Sequence, residues 1–215
     1  MRRLGKDTRN NDSRRGICEV QPVCRECFRR EKKCWLLQET PQHAVTLDFL
    51  GRTYAVDKNG VELVGEKIKW SVKSEGFEHN AKSVLGYYVL SDANMEPLHE
   101  YCLLGAFSHG VFGRPPSAAN GLKKAFGADY TLFCRTAEKL GAVFEAEKLG
   151  GQYQWSYTLL PKVPVKNMYY EGDDEYPTRI PILYDKTAIQ IYKFEPLAVL
   201  NSCFIEGFAS IGESL

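Results

Sequence analysis

Apolar and polar residues alternate from Ala44 to Leu50 and again over Thr53–Val56, and a third apolar run begins at Val61. Short runs of period-two alternation predict half-buried strands. Asp57-Lys58-Asn59-Gly60 separates the second run from the third, and Asn-Gly between apolar runs predicts a hairpin turn. Val84, Tyr87, Tyr88 and Leu90 give an apolar surface that predicts a helix over about 80–92. A further helical turn or two is expected between Leu98 and Phe107, before Gly110 to Pro116 breaks the regularity. Leu132, Phe133, Ala137, Leu140 and Phe144 recur at three- and four-residue spacings and predict a helix over about 129–146. Asp129 would cap its start and Gly150-Gly151 would close it.

The last third returns to strands. Tyr153, Trp155 and Tyr157 share one face of a strand over 153–160. Runs at 164–170 and 178–184 flank the acidic segment Glu171-Gly172-Asp173-Asp174-Glu175 and predict a hairpin. Leu197, Leu200, Cys203 and Phe204 predict a final helix over about 195–211. The pattern as a whole predicts an α+β fold: short antiparallel strands and hairpins with several helices.

The front of the chain has neither period. Residues 1–16 hold almost no large apolar side chain and read as a disordered basic tail; residues 17–42 form a cysteine-rich module; residues 43–215 form the α+β domain. Charge sharpens this division. Residues 1–34 carry 11 Lys/Arg against 5 Asp/Glu, an excess of +6, leaving 17 against 22, or −5, for the rest. A basic head thus precedes an acidic body, within a net charge of +1. The basic start has no apolar stretch of the signal-peptide kind and no run approaches a membrane span, so no membrane is expected and the cytoplasm is the expected location. Seven cysteines in a reducing compartment are read as ligands or core residues rather than disulfides.

Four of them, Cys18, Cys24, Cys27 and Cys34, follow the spacing C-x5-C-x2-C-x6-C. Four soft thiolates suit either a zinc ion or the irons of a cluster. The module has too few apolar side chains to fold alone, so a bound metal would supply the missing folding energy. The surrounding Lys and Arg favour thiolates. Interleaved with Phe28 and Trp35, they also make nucleic-acid contact an alternative, though the acidic body argues against general affinity.

Cys18-Glu19-Val20, Cys24, Cys27 and Cys34-Trp35-Leu36-Leu37-Gln38-Glu39-Thr40 together resemble the small "CW" cysteine modules of bacterial signalling and redox proteins. Glu19 stands where those modules have Trp, and Gln42-His43 near where they have their last Cys, so the resemblance would let His43 substitute as a ligand. The body resembles a second family, domain of unknown function 3786, known from anaerobic bacteria and archaea. The resemblance runs over about 45–205, through Leu149-Gly150-Gly151, Leu159-Leu160-Pro161-Lys162-Val163-Pro164, Tyr170-Glu171-Gly172-Asp173-Asp174-Glu175-Tyr176-Pro177 and Ile182-Leu183-Tyr184-Asp185. Members often occur with iron–sulfur modules. The resemblance therefore implies a [4Fe–4S] cluster, with zinc as the alternative, in an accessory or electron-transfer protein that docks a protein partner.

Other constellations are weaker. Glu171, Asp173, Asp174 and Glu175 offer oxygen ligands for a hard cation, or a dock for a basic partner, but lack EF-hand spacing and read first as a solvated turn. His99 and Cys102, three apart on a predicted helical face and with His109 nearby, form a conceivable nucleophile pair in an enzyme reading that ranks last. Gly105, Gly110, Gly113 and Arg114 match no phosphate-binding fingerprint. Cys134 and Cys203 fall on apolar faces and are expected in the core.

Overall fold

A computed structural model describes residues 45–91, 95–108, 119–148 and 152–215. The tail and the cysteine module lie outside the described residues. Three strands, β1 (Val45–Phe49), β2 (Arg52–Asp57) and β3 (Gly60–Glu66), form an antiparallel sheet in that order. Helix α1 (Phe77–Leu90) follows, then the short strand β4 (Tyr101–Leu103) and a 3-10 turn at Leu104–Phe107. Helices α2 (Ala119–Phe126) and α3 (Tyr130–Lys139) lead into β5 (Val143–Lys148), β6 (Gln152–Leu160), β7 (Val163–Tyr170) and β8 (Ile182–Asp185). A single turn of helix, α4 (Ala188–Tyr192), precedes the long helix α5 (Phe194–Glu213). The second sheet is antiparallel with order β4-β8-β7-β6-β5. This is the α+β architecture that the alternating patterns imply.

The alternation seen in the sequence is the burial pattern of the strands. Val45, Leu47 and Phe49 of β1 are buried while Thr46 and Asp48 are exposed. The turn between β1 and β2 consists of Leu50 (φ 53°) and Gly51 (φ 74°), the left-handed pair that suits the twist of a two-residue hairpin. It is also a hub. The Gly51 carbonyl accepts from the backbone N–H of Lys67 (2.7 Å) and Ile68 (2.9 Å), and the Leu50 carbonyl accepts from the Trp70 indole at 3.0 Å.

Arg52, the first residue of β2, is buried. Its guanidinium pairs with Glu78 at the start of α1 and with Glu66 at the end of β3 (3.2 Å), and donates to the Trp70 carbonyl at 3.0 Å. It also lies 4.1 Å above the Trp70 ring, within cation–π range. One side chain thus joins the first sheet, the 67–76 connection and α1.

Helix α5 lies across the core and packs against the four other helices among the described residues. It is buried around most of its circumference, from Leu197 and Leu200 through Phe204, Phe208 and Ile211. Glycines permit the close approach: a Cβ on Gly207 would lie 2.5 Å from Leu50, and one on Gly212 would lie 2.7 Å from Phe126. Phe204 meets Tyr157 of β6 with ring centroids 5.2 Å apart, which ties the helix to the second sheet.

Two expectations are corrected. The helix read over 129–146 ends at Lys139; Asp129 caps it as expected, accepting from the Leu132 N–H at 2.8 Å, but Gly141 in the left-handed region (φ 78°) follows it and residues 143–148 are a strand. The apolar stretch 98–107 is an edge strand and a 3-10 turn, not a helix.

Two substitutions test this frame by chemical denaturation. Gly51→Ala must place a Cβ 2.6 Å from Ile68 at a positive φ, and the expected loss is about 1–3 kcal/mol. Arg52→Lys removes the planar fork that serves two carboxylates, a carbonyl and a ring together, and should also cost about 1–3 kcal/mol.

Candidate functional site

Cys18, Cys24, Cys27 and Cys34, with His43, lie outside the described residues, as do His109, Gly110, Gly113 and Arg114. The remaining candidates are placed. Among the described residues, no three or more His, Cys, Asp or Glu side chains gather as a metal site would.

The acidic segment joins β7 to β8, as the hairpin reading requires. Asp173 organises it. Its Oδ1 accepts from the backbone N–H of Glu175 (2.9 Å) and Tyr176 (2.6 Å), while its own N–H donates to the Tyr176 carbonyl at 2.8 Å. This is a side-chain-closed turn of the kind Asp favours. Gly172 is required by space, because a Cβ there would lie 2.6 Å from the Thr178 nitrogen. Arg179 crosses the Tyr170 ring at 5.1 Å, and the two residues exchange backbone bonds at 2.9 and 3.1 Å. Glu171 accepts from the Tyr153 hydroxyl at 3.3 Å. The four carboxylates are exposed, and two of them already have protein donors.

His99 and Cys102 do not share a helical face. His99 is exposed with φ 58°, just before β4, and Cys102 is on β4 opposite Tyr184. Burial pushes the Cys102 thiol up, with nearby Asp185 adding to the shift and Lys186 opposing it. Cys134 is half-buried on α3 and its thiol is also pushed up, chiefly by burial. Cys203 lies in the core as expected, pushed up to about 12, first by burial and then by the Glu206 carboxylate. Three thiols held protonated on three different elements form neither a nucleophile pair nor a ligand set.

Beside Cys102 lies a residue whose role the periodicity of the sequence does not mark. Asp185, the last residue of β8, is fully buried. Its Oδ1 accepts from the Thr187 N–H (2.9 Å), the Thr187 hydroxyl (2.6 Å) and the Leu98 N–H (3.2 Å). Burial by itself would raise its carboxyl; the bonds from Thr187, Leu98 and the His99 backbone outweigh this and hold it below the usual range. Oδ2 has no partner. The carboxylate starts α4 and clamps the 97–100 connection onto the sheet, beside the Lys186–Glu100 ion pair at 2.8 Å. An Asp two residues before Thr at the head of an apolar run is the signal that marks such a turn.

A second polar group is hidden in the sequence, because the three- and four-residue spacing predicts a helix through residues 143–146 where the chain forms β5. Glu145 of β5 accepts from Lys166 at 2.6 Å and from Gln154 on the sheet face away from α5. Lys166 lies 4.7 Å above the Tyr101 ring. Burial pushes the Glu145 carboxyl up, and the Lys166, Ser156 and Gln154 bonds bring it below its ordinary value. All these groups are mutually satisfied, so the cluster joins β4, β5, β6 and β7 rather than presenting free valences.

A shallow notch opens at the seam of the two sheets. It holds about 100 Å³ between the β1–β2 turn, the end of α3 and β6, lined by Asp48, Leu50, Gly51, Leu140, Tyr157, Thr158 and Leu159. Asp48 on its rim is held below its ordinary value by the Lys67 ammonium at 2.5 Å and the Thr53 hydroxyl at 2.7 Å.

No helix among the described residues is long and apolar enough to cross a membrane. A family model described as "Domain of unknown function (DUF3786)" matches residues 35–206. The match begins one residue after Cys34, so the four cysteines precede it. No curated protein and no solved structure matches the chain.

Asp185→Asn should destabilise the fold by about 1–3 kcal/mol at neutral pH, since the new amide N–H groups replace an acceptor where no acceptor faces them. A carboxylate with a lowered folded pKa contributes its stability above the unfolded value of about 4 and loses it as pH falls through the folded value. The deficit of the variant should therefore shrink as denaturation is measured at progressively lower pH below about 4.

Proposed function

The chain belongs to the DUF3786 family, and we propose that it is a metal-binding accessory protein, with Cys18, Cys24, Cys27 and Cys34 ligating a [4Fe–4S] cluster. The observation that carries this reading is the spacing C-x5-C-x2-C-x6-C in a basic segment too poor in apolar residues to fold unaided. The donor set fits the group: four thiols, each able to act as a soft thiolate, among cations that favour ionisation. The placement of the body's cysteines supports the assignment, because burial keeps Cys102, Cys134 and Cys203 protonated and apart. A cluster held there would supply one-electron redox chemistry. The body would then be the part that docks a protein partner. Its acidic balance of −5 opposes nucleic acid as that partner.

Metal and acid-labile sulfide analysis of anaerobically purified full-length protein tests the proposal. The expected result is about four irons and four sulfides per chain with a broad visible absorption, lost on Cys27→Ser. One zinc and a colourless solution would make the module a structural clamp. Absence of both metals after anaerobic reconstitution would remove the metal reading altogether.

A further inference from the structure

We propose that a single buried water bridges the Nε–H of Arg52 and the hydroxyl of Tyr54 on the inner face of β2. Arg52 is 5% exposed and Tyr54 0%. Neither Arg52 Nε nor the Tyr54 hydroxyl has a hydrogen-bond partner among the described residues. The guanidinium meets Glu66, Glu78 and the Trp70 carbonyl through its two terminal nitrogens, and these bonds leave Nε–H over. A buried polar group without a partner carries its full desolvation cost, and an ordered water is the usual way that cost is removed. Two such groups on one strand face call for one ligand that serves both.

Three observations place the ligand and identify it. Arg52 and Tyr54 are two apart on β2, where buried positions alternate with half-buried ones, so both side chains leave the strand on its buried side. The pairing of β2 with β3 shifts register between Thr53 and Tyr54, and such a bulge bends the ladder and re-aims the side chains beside it. The Tyr54 hydroxyl is pushed up to about 12, first by burial and then by the Glu78 carboxylate, with the Arg52 guanidinium opposing. It therefore stays protonated and can both donate and accept, whereas Arg52 Nε–H only donates. Water accepts from the one and exchanges either way with the other. An ion does not fit. The Glu66 and Glu78 carboxylates already balance the guanidinium, so an anion would add to them and a cation would face Arg52.

Tyr54→Phe in the full-length chain tests the bridge by the sign of its effect. With no ligand present the hydroxyl is an unmet polar group, and its deletion leaves the unfolding equilibrium constant unchanged or lower. With the water in place the substitution takes away one of its partners and leaves Arg52 Nε–H poorly served. The expected result is a rise in the unfolding constant of at least about fivefold. An unchanged or lowered constant overturns the proposal. Water-selective nuclear Overhauser spectroscopy on the Arg52 Nε–H resonance separates the bridge from a plain loss of packing. A cross-peak to a long-lived water in the wild-type chain, weakened or lost in Tyr54→Phe, supports the bridge. Its absence from the wild-type spectrum overturns it, even where the constant rises. Should Tyr54→Phe not fold, the wild-type spectrum decides alone. Neither readout involves the cysteine module, so the outcome is independent of the metal analysis.

Discussion

A buried cation sets the geometry of the first sheet. Arg52 is almost entirely withdrawn from bulk water, so its charge is offset by Glu66, Glu78, the Trp70 carbonyl and the Trp70 ring around it. Those four partners come from the end of β3, the start of α1 and the connection between them. Fixing the guanidinium therefore fixes the path of residues 66–78. That path delivers Trp70 to the Leu50 carbonyl and to Phe77, whose ring it meets edge-on at 5.1 Å. The hairpin turn, the indole and the first helix are held by one charge and its surroundings, and α5 closes over them through Gly207.

The second sheet obeys a different rule. Its inner face is aromatic: Tyr130 stacks on Tyr153 at 4.0 Å, and Phe133 meets Tyr169 and Phe208 at 5.2 and 5.4 Å. The buried hydroxyls of Tyr184 and of Tyr192 on α4 are served, by Asn201 at 3.1 Å and by the Val84 carbonyl at 3.1 Å. Its outer face carries the Glu145–Lys166 pair, and its β4 edge is pinned by Asp185. The acidic hairpin tip, with the richest concentration of charge in the body, turns out to be occupied with closing itself through Asp173. High local charge and a vacant coordination sphere are different properties, and the structure separates them.

Much of the frame was legible in the sequence because local chemistry and tertiary context agree there. Alternation over 44–56 with Asn59-Gly60 specified the first sheet, and Asp129 marked the start of α3. Legibility failed where a periodic pattern outran its element. Phe144 continues the three- and four-residue spacing of α3, yet the backbone turns at Gly141 and Phe144 is half exposed on an edge strand. β4 is three residues long and borrows its stability from β8, more than eighty residues later, so no local signal marks it. Of the candidate site, the four-cysteine spacing is plain in the sequence and lies outside the described residues. The separation of Cys102 from His99, by contrast, depended on a strand that periodicity does not reveal.

The placement of α5 has a consequence for biosynthesis. Both sheets and the other helices among the described residues share a core whose last wall is Phe194–Glu213. Strands β5 to β8 can pair as a meander as they leave the ribosome, since each neighbours the next in sequence. Tyr130 and Phe133 of α3 precede them and cover part of their aromatic face, but the part that Phe204 and Phe208 cover stays open until residues 194–213 follow. At about 5–20 residues per second, the nascent chain leaves that part of the face open for seconds before α5 can close it.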